Sequence, residues 1–218
     1  VTQGSVFVIT KKHLQEGAQL AHQAVKAGAA AVVTQEDLHL GQQVLVEDTS
    51  ETYARLCANW FGRPAEKLKL LGVTGTNGKT TVTHMLKGIL EQAGYRCGLV
   101  GTIGNETGKS ALKAHNTTPD AFELHSLFAR MVEDGCGYAV MEVSSHALDQ
   151  GRVAGLTFEA GVFTNLTQDH LDYHKTMQNY MLAKRRLFVQ SKQAVLNLDD
   201  PYAADIAAGL PCRKATFS

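Results

Sequence analysis

Residues 68–73 form a short apolar run that passes directly into the glycine-rich stretch TGTNGKTT at 74–81 and from there into a helical pattern. Val82, Met85, Leu86, Ile89, Leu90 and Ala93 recur at helical spacing, and Gly94 supplies a stop. A buried strand that turns through glycines into an amphipathic helix belongs to an α/β architecture with a mostly parallel sheet. The turn also carries chemistry. Backbone N–H groups of Gly75, Thr76, Asn77, Gly78, Lys79 and Thr80 can surround phosphate oxygens, and the helix N-terminus adds partial positive charge. Lys79 can reach a β- or γ-phosphate, and the Thr80 hydroxyl can meet Mg²⁺. The pattern GxxxxGK[ST] is matched imperfectly, because its first glycine falls on Val73 while this chain has Gly72 and Gly75.

The same alternation of strands and helices runs through the chain. Strands are expected at 5–10, 30–34, 44–46, 97–102, 138–143, 161–165 and 194–197. Helices are expected at 15–27, 50–61 and 177–188, with Tyr53, Leu56, Cys57, Trp60 and Phe61 marking the face of the second. Thr118-Pro119 reads as an N-cap followed by the first helical position, with Leu124, Leu127, Phe128, Met131 and Val132 on that helix's buried face. The polar run around Pro64 reads as a linker. It divides a small N-terminal α/β substrate domain at 1–65 from a P-loop-type central domain at 66–218, whose mostly parallel sheet is flanked by helices.

The 218 residues carry zero formal net charge, so no global field favours nucleic acid or a membrane surface, and any anion must be held by local groups. No apolar run approaches the roughly 20 residues that span a bilayer. The four cysteines have no metal-type spacing and fit a reduced compartment, so a cytoplasmic protein is expected. The chain opens on Val1 without an initiator Met and reads as a fragment at both ends.

Two further stretches bear on chemistry. Residues 138–143 form a buried strand with Glu142 near its carboxyl end, where ligands collect in open α/β sheets; beside a P-loop, an acid there can hold Mg²⁺. Residues 164–174 (TNLTQDHLDYH) place Asp169, His170, Asp172 and His174 close together after another strand. Without cysteine partners, hard oxygens plus imidazole suit Mg²⁺ or Mn²⁺ better than zinc. Taken alone, Lys184 in MLAKRR reads as part of a solvated basic helix face.

TGTNGKTT, together with NTTP at 116–119, MEVSSHALDQGR at 141–152 and FTNLTQDHLDYH at 163–174, resembles the Mur ligase family. The wider superfamily includes folylpolyglutamate and cyanophycin synthetases. The combination is most similar to the ligases that add the third residue of the peptidoglycan stem peptide. The resemblance spans essentially the whole chain. It implies an ATP-dependent amide ligase of cell-wall synthesis, acting through an acyl phosphate on UDP-MurNAc-L-Ala-D-Glu and a diamino acid, meso-diaminopimelate or L-lysine. It implies ATP and Mg²⁺ as cofactors and a monomer in the cytoplasm. Lys79, Thr80 and Thr81 would hold the phosphates and a first Mg²⁺, Glu142 would bridge metals and His170 would bind a second. Lys184 falls where the family carries a carbamylated lysine. Asn116, Thr117, Thr118, Ser144, Gln150 and Arg152 match substrate-binding positions, and Asn197 matches the region near adenine.

The chain departs from the family at His13-Leu14-Gln15-Glu16-Gly17, which has Glu where the family has Asp, and the segment that usually precedes it in the uridine-binding unit is missing. No counterpart of the family's C-terminal domain is present, so little or no ligase activity is expected from these residues alone. The alternatives are another amide ligase of the superfamily or a non-catalytic nucleotide-binding fragment.

Overall fold

A computed structural model of the chain describes residues 1–10 and 16–218. The chain divides into two units, Val1–Leu56 and Cys57–Ser218. The division falls inside a helix, ahead of the polar stretch around Pro64. That stretch forms a 3₁₀ turn, Pro64–Lys67, in which Pro64 is buried.

In the first unit β1 (Val6–Val8), β2 (Ala31–Thr34) and β3 (Gln43–Leu45) make a parallel sheet in that order, with α1 (Gly17–Lys26) between β1 and β2. Ile9, Ala21 and Val32 form its small core. The helix expected over 15–27 is described from Gly17. Gln15, His13 and Leu14 lie outside the described residues. The helix α2 (Thr49–Trp60) starts where the Asp48 carboxylate accepts from the Ser50 and Glu51 N–H groups at 2.8 and 2.9 Å, the chemistry of an N-cap. Its expected apolar face differs from the observed one. Ala54 and Cys57 are buried, whereas Leu56 and Trp60 are exposed.

The second unit contains β4 (Lys69–Thr74), α3 (Lys79–Gln92), β5 (Cys97–Val100), β6 (Asn105–Glu106), β7 (Ala111–Leu112), α4 (Ala121–Glu133), β8 (Tyr138–Glu142), α5 (Ser145–Asp149), β9 (Ala160–Phe163), α6 (Leu171–His174), α7 (Met177–Val189), β10 (Gln193–Asn197), α8 (Ala203–Ala207) and β11 (Arg213–Phe217). Its eight-stranded sheet has the order β11-β10-β9-β4-β8-β5-β6-β7, and only the β5–β6 and β6–β7 pairs are antiparallel. The mostly parallel α/β sheet expected from the sequence is thus present. From β4 the chain runs out to β5, β6 and β7, returns to β8 between β4 and β5, then crosses to β9 on the other side of β4. That reversal opens a crevice at the carboxyl ends of β4, β8 and β9.

Successive strand residues face opposite sides. Leu99 and Val140 pack with Leu86 and Leu90 of α3, while Val100, Ala139 and Met141 join Leu124, Phe128 and Met131 of α4 and Leu187 and Phe188 of α7. α7 lies very close to the sheet: a Cβ on Gly72 would stand 2.9 Å from Leu187 Cδ1 and 3.0 Å from Phe158. The expected face of α3 is only partly used, since Met85 and Ile89 are exposed. At about 100° per residue, 82, 86 and 90 make one row and 85 and 89 the next, and only the first row meets the strands. α4 also begins later than expected. Asp120 is its N-cap, accepting from the Glu123 N–H at 3.0 Å, because the Thr118 hydroxyl is committed to the end of β8.

His125 on α4 is 3% exposed, and its Nδ1 has no hydrogen-bond partner. Burial holds its pKa below the ordinary histidine value. Between the folded and unfolded pKa values the unfolded chain binds more protons, so stability falls as the pH drops below about 6.5. Replacing His125 with Phe is expected to shrink the loss of stability between pH 7 and pH 5 relative to wild type, measured by urea unfolding at each pH. An unchanged difference would show that His125 does not contribute.

Candidate active site

Three strands end at one level. Val73 lies opposite Glu142 in the β4–β8 ladder, and Thr74 lies opposite Phe163 in the β4–β9 ladder. The loop at 74–81 therefore leaves the sheet with Glu142 on one side and Thr164 on the other. It is tied firmly to the β9 side. The Thr76 N–H donates to Asn165 O at 2.9 Å, the Asn77 N–H to Asn165 Oδ1 at 2.9 Å, and the Thr164 hydroxyl to Asn77 O at 2.6 Å. The Thr76 hydroxyl donates to Thr167 O at 3.2 Å and accepts from the Thr167 N–H at 3.0 Å. A Cβ on Gly75 would stand 1.8 Å from Thr164 Oγ1, so that backbone approach requires glycine. Gly78, at φ 84°, is the N-cap of α3. Lys79 Nζ donates back to Gly75 O and Thr76 O at 2.8 and 2.9 Å. Thr81 is exposed on the same helix.

Glu142 is 1% exposed, and its carboxylate is satisfied by hydroxyl and backbone donors. Oε1 accepts from Thr80 Oγ1 at 3.0 Å and from the Thr102 N–H at 2.8 Å, and Oε2 accepts from Thr102 Oγ1 at 3.1 Å. A carboxylate beside a threonine hydroxyl at the head of a phosphate loop is a hard-oxygen donor set that fits Mg²⁺. Among the described residues no cluster of three or more His, Cys, Asp or Glu side chains is arranged to hold a metal. The dense cluster at 169–174 does not converge on one point. His170, at φ 53°, pairs with Asp169 at 3.5 Å. His174 is buried, with Nε2 2.9 Å from Ser145 Oγ and its ring stacked on Tyr180. The rings of His146 and His170 meet edge-on at 4.9 Å.

Lys184 is not on a solvated face. It is 1% exposed, and its ammonium lies 4.3 Å from the centre of the Tyr180 ring. Basic residues mark a surface only when the helix turns them outward, and α7 turns this one into the core. Burial, then the neighbouring charge of Lys79, pushes its pKa well below the ordinary lysine value. Burial also lowers the pKa of Lys79, against the opposing pull of Glu142 and Asp169. Tyr180 joins the two lysines structurally, because its hydroxyl lies 3.3 Å from Thr76 Oγ1 in the loop.

Across β8 the candidate substrate residues meet at the start of α5. The Thr118 hydroxyl donates to Glu142 O at 2.9 Å and accepts from the Ser144 N–H at 3.0 Å. Ser144 caps α5. Arg152 donates from Nη1 to Thr118 O at 2.8 Å and from Nε and Nη2 to Gln150 Oε1 at 3.1 and 2.8 Å. The Thr117 hydroxyl lies 3.1 Å from Thr102 Oγ1, which can accept from it, and Asn116 is exposed. Asn197 stands apart, donating from Nδ2 to Thr164 O at 2.8 Å. Sequence reasoning passed over Thr102, Asn165, Tyr173 and Tyr180. Asn165 and Tyr173 lie within the stretch at 163–174 without a role of their own there, whereas Thr102, just after β5, and Tyr180, on α7, had only position as a signal.

Residues 73–218 match the Mur ligase middle domain. A curated UDP-N-acetylmuramoyl-L-alanyl-D-glutamate--2,6-diaminopimelate ligase from Clostridium perfringens is 46% identical over 100% of this chain and 47% of that protein. A ligase of the same name from Bacillus cereus is 47% identical over 92% of this chain and 43% of that protein. A solved structure carrying that ligase name superposes with a TM-score of 0.81 at 32% identity, covering 99% of this chain and 45% of the other. The chain thus spans just under half the length of the relatives it matches. A folylpolyglutamate synthase from Mycobacterium tuberculosis, at 15% identity and a TM-score of 0.62, shares the fold.

The tight approach at Gly75 generates a test. The Gly75→Ala substitution forces the loop off Thr164 and is expected to weaken ATP binding at least about tenfold, roughly 1.4 kcal/mol, in calorimetric titration. Unchanged affinity would mean that this loop does not cradle the phosphates.

Proposed function

This chain belongs to the Mur ligase family, and on that premise we propose that it is the central part of an ATP-dependent amide ligase that joins 2,6-diaminopimelate to UDP-MurNAc-L-Ala-D-Glu. The observation that carries the reading is the Thr80–Glu142 contact at the mouth of a phosphate loop capped by Lys79. The names of the relatives favour diaminopimelate over lysine as the amino acid added.

In this reading the loop N–H groups and Lys79 hold the β- and γ-phosphates of ATP. The acceptor carboxylate attacks the γ-phosphorus, releasing ADP and leaving an acyl phosphate. The amine of the incoming amino acid then attacks the acyl carbon, and phosphate departs. The burden on these residues is charge. A triphosphate and a carboxylate repel each other, and preorganised donors offset the repulsion at no reorganisation cost. Lys79 suits the task because it is already ordered on the loop carbonyls. Thr80 and Glu142 would hold Mg²⁺, which supplies further neutralisation of phosphate charge. Thr81 would support the phosphate end of the loop.

His170 and Lys184 are proposed as the second cation-binding pair. A buried lysine amine beside another cation favours its neutral form. A neutral amine can add to CO₂, forming an N–C bond and losing a proton to give a carbamate. That step would replace a like charge next to Lys79 with an opposite one. Thr117, Thr118, Ser144, Gln150 and Arg152 would seat the acceptor, with Asn116 at its edge and Asn197 toward the adenine. A cytoplasmic monomer without nucleic-acid partners is part of the proposal; no described helix is long and apolar enough to cross a membrane.

The test is ADP release in the full-length protein, dependent on both UDP-MurNAc-L-Ala-D-Glu and diaminopimelate. Release with folate or cyanophycin acceptors instead would sink the reading. Lys79→Ala is expected to lower kcat by a factor of about 10³ or more, and near-normal turnover would remove the loop from catalysis. Lys184→Ala is expected to lose most activity and regain part of it with added short carboxylic acids. No recovery would count against the carbamate.

A further inference from the structure

Three N–H groups of Arg152 are committed, and all of them go to neutral oxygens, Thr118 O and Gln150 Oε1. No carboxylate is paired with the guanidinium among the described residues, so its remaining donors and its full charge stay available. The aim of Arg152 then depends on which way the Gln150 amide points. A terminal amide rotates easily between two orientations, and the wrong one would present NH₂ to the guanidinium.

One chain of hydrogen bonds selects the orientation. The Asp149 carboxylate can only accept, and the Tyr173 hydroxyl donates to its Oδ2 at 2.9 Å. With its proton spent there, the phenol oxygen offers only lone pairs, and Gln150 Nε2 points toward it at 3.5 Å. Oε1 is thereby left for Arg152. Behind Asp149, Arg186 Nη2 lies 3.4 Å from Oδ1, and Arg186 Nη1 donates to Leu148 O and Asp149 O at 3.3 Å. The Tyr173 ring is wedged against His146 at 4.2 Å and His174 at 4.8 Å, so the hydroxyl cannot swing away.

We propose that Tyr173 is a positioning residue for substrate recognition: through Asp149 on one side and Gln150 on the other, it aims Arg152 at a carboxylate of the acceptor peptide. The inference rests on the reading under Proposed function and adds a residue that touches neither ATP nor the reacting atoms. Its signature is selective, weakening the acceptor and sparing the nucleotide.

In the full-length protein, Tyr173→Phe keeps the ring and removes the hydroxyl. It should raise KM for UDP-MurNAc-L-Ala-D-Glu about 3- to 10-fold, the range of one lost hydrogen bond, with kcat, KM for ATP and the unfolding temperature little changed. Asp149→Asn, which allows the amide to donate and so breaks the polarity of the chain, should do the same. In an Arg152→Lys background, Tyr173→Phe should add less than about twofold, because the two act through one group. An unchanged acceptor KM, or an equal rise in both backgrounds, would overturn the proposal. Modification of Arg152 by phenylglyoxal supplies a readout independent of the reaction. Tyr173→Phe should change its rate, and an identical rate would also overturn the proposal. A wild-type enzyme inert toward the UDP-sugar peptide would instead sink the ligase reading, while the labelling rates still judge the tether.

Discussion

β4 is hydrogen-bonded along one side to β8 and along the other to β9, and these two ladders set the heights of everything in the crevice. Val73 stands opposite Glu142, and Thr74 stands opposite Phe163. A slip of one residue in the β4–β8 ladder would turn Glu142 from the crevice to the opposite face of the sheet. The pairing is held by a core in which Leu70, Met141 and Phe163 are nearly inaccessible to solvent. Close packing on the sheet and placement of the site are therefore one constraint seen from two sides. The glycines at 72 and 161 let α7 approach, and α7 brings Tyr180 and Lys184 to the loop.

Charge is distributed in the crevice so that few groups are neutralised by a partner of full opposite charge. Glu142 is satisfied by threonine hydroxyls and one N–H, Lys79 by two carbonyls, Arg152 by a carbonyl and an amide. Dipolar partners fix position while leaving formal charge available to a ligand. Ion pairs occur instead at the periphery, as between Arg186 and Asp149 or Lys192 and Glu159. Lys184 is the outlier, a buried amine held against an aromatic face and next to the cation of Lys79. A charge in that setting is costly unless it is paired or altered.

The elements legible in the sequence were those whose signal is local. The strand, loop and helix around 68–92 announce themselves through apolar spacing and glycine placement. So does α7, whose N-cap Thr176 accepts from the Asn179 N–H at 3.1 Å. The buried stripe of α4 also followed from periodicity, with Leu124, Leu127, Phe128 and Met131 all buried. What escaped was decided by tertiary contact. Thr118 has the chemistry of an N-cap, but a buried backbone carbonyl at Glu142 claims its hydroxyl. Met85 and Ile89 fit a helical stripe, yet the strands reach only the neighbouring row. Lys184 sits among basic residues, and nothing local distinguishes the one that faces inward. The two-residue strands β6 and β7 are too short to show alternation. At the candidate site, the charged residues and the threonines and amides inside the motifs were visible; Thr102 and Tyr180, which meet Glu142 and the loop from outside those motifs, were not.

The antiparallel turn made by β6 and β7 closes one side of a sheet that is otherwise parallel. Its outermost strand is only Ala111–Leu112. A boundary that short offers a stray chain almost no row of unpaired N–H and C=O groups to match, so sheet growth from that side is blocked by length alone. A parallel sheet assembles slowly because its partners are distant in sequence. A protected margin lowers the hazard of self-association during that interval.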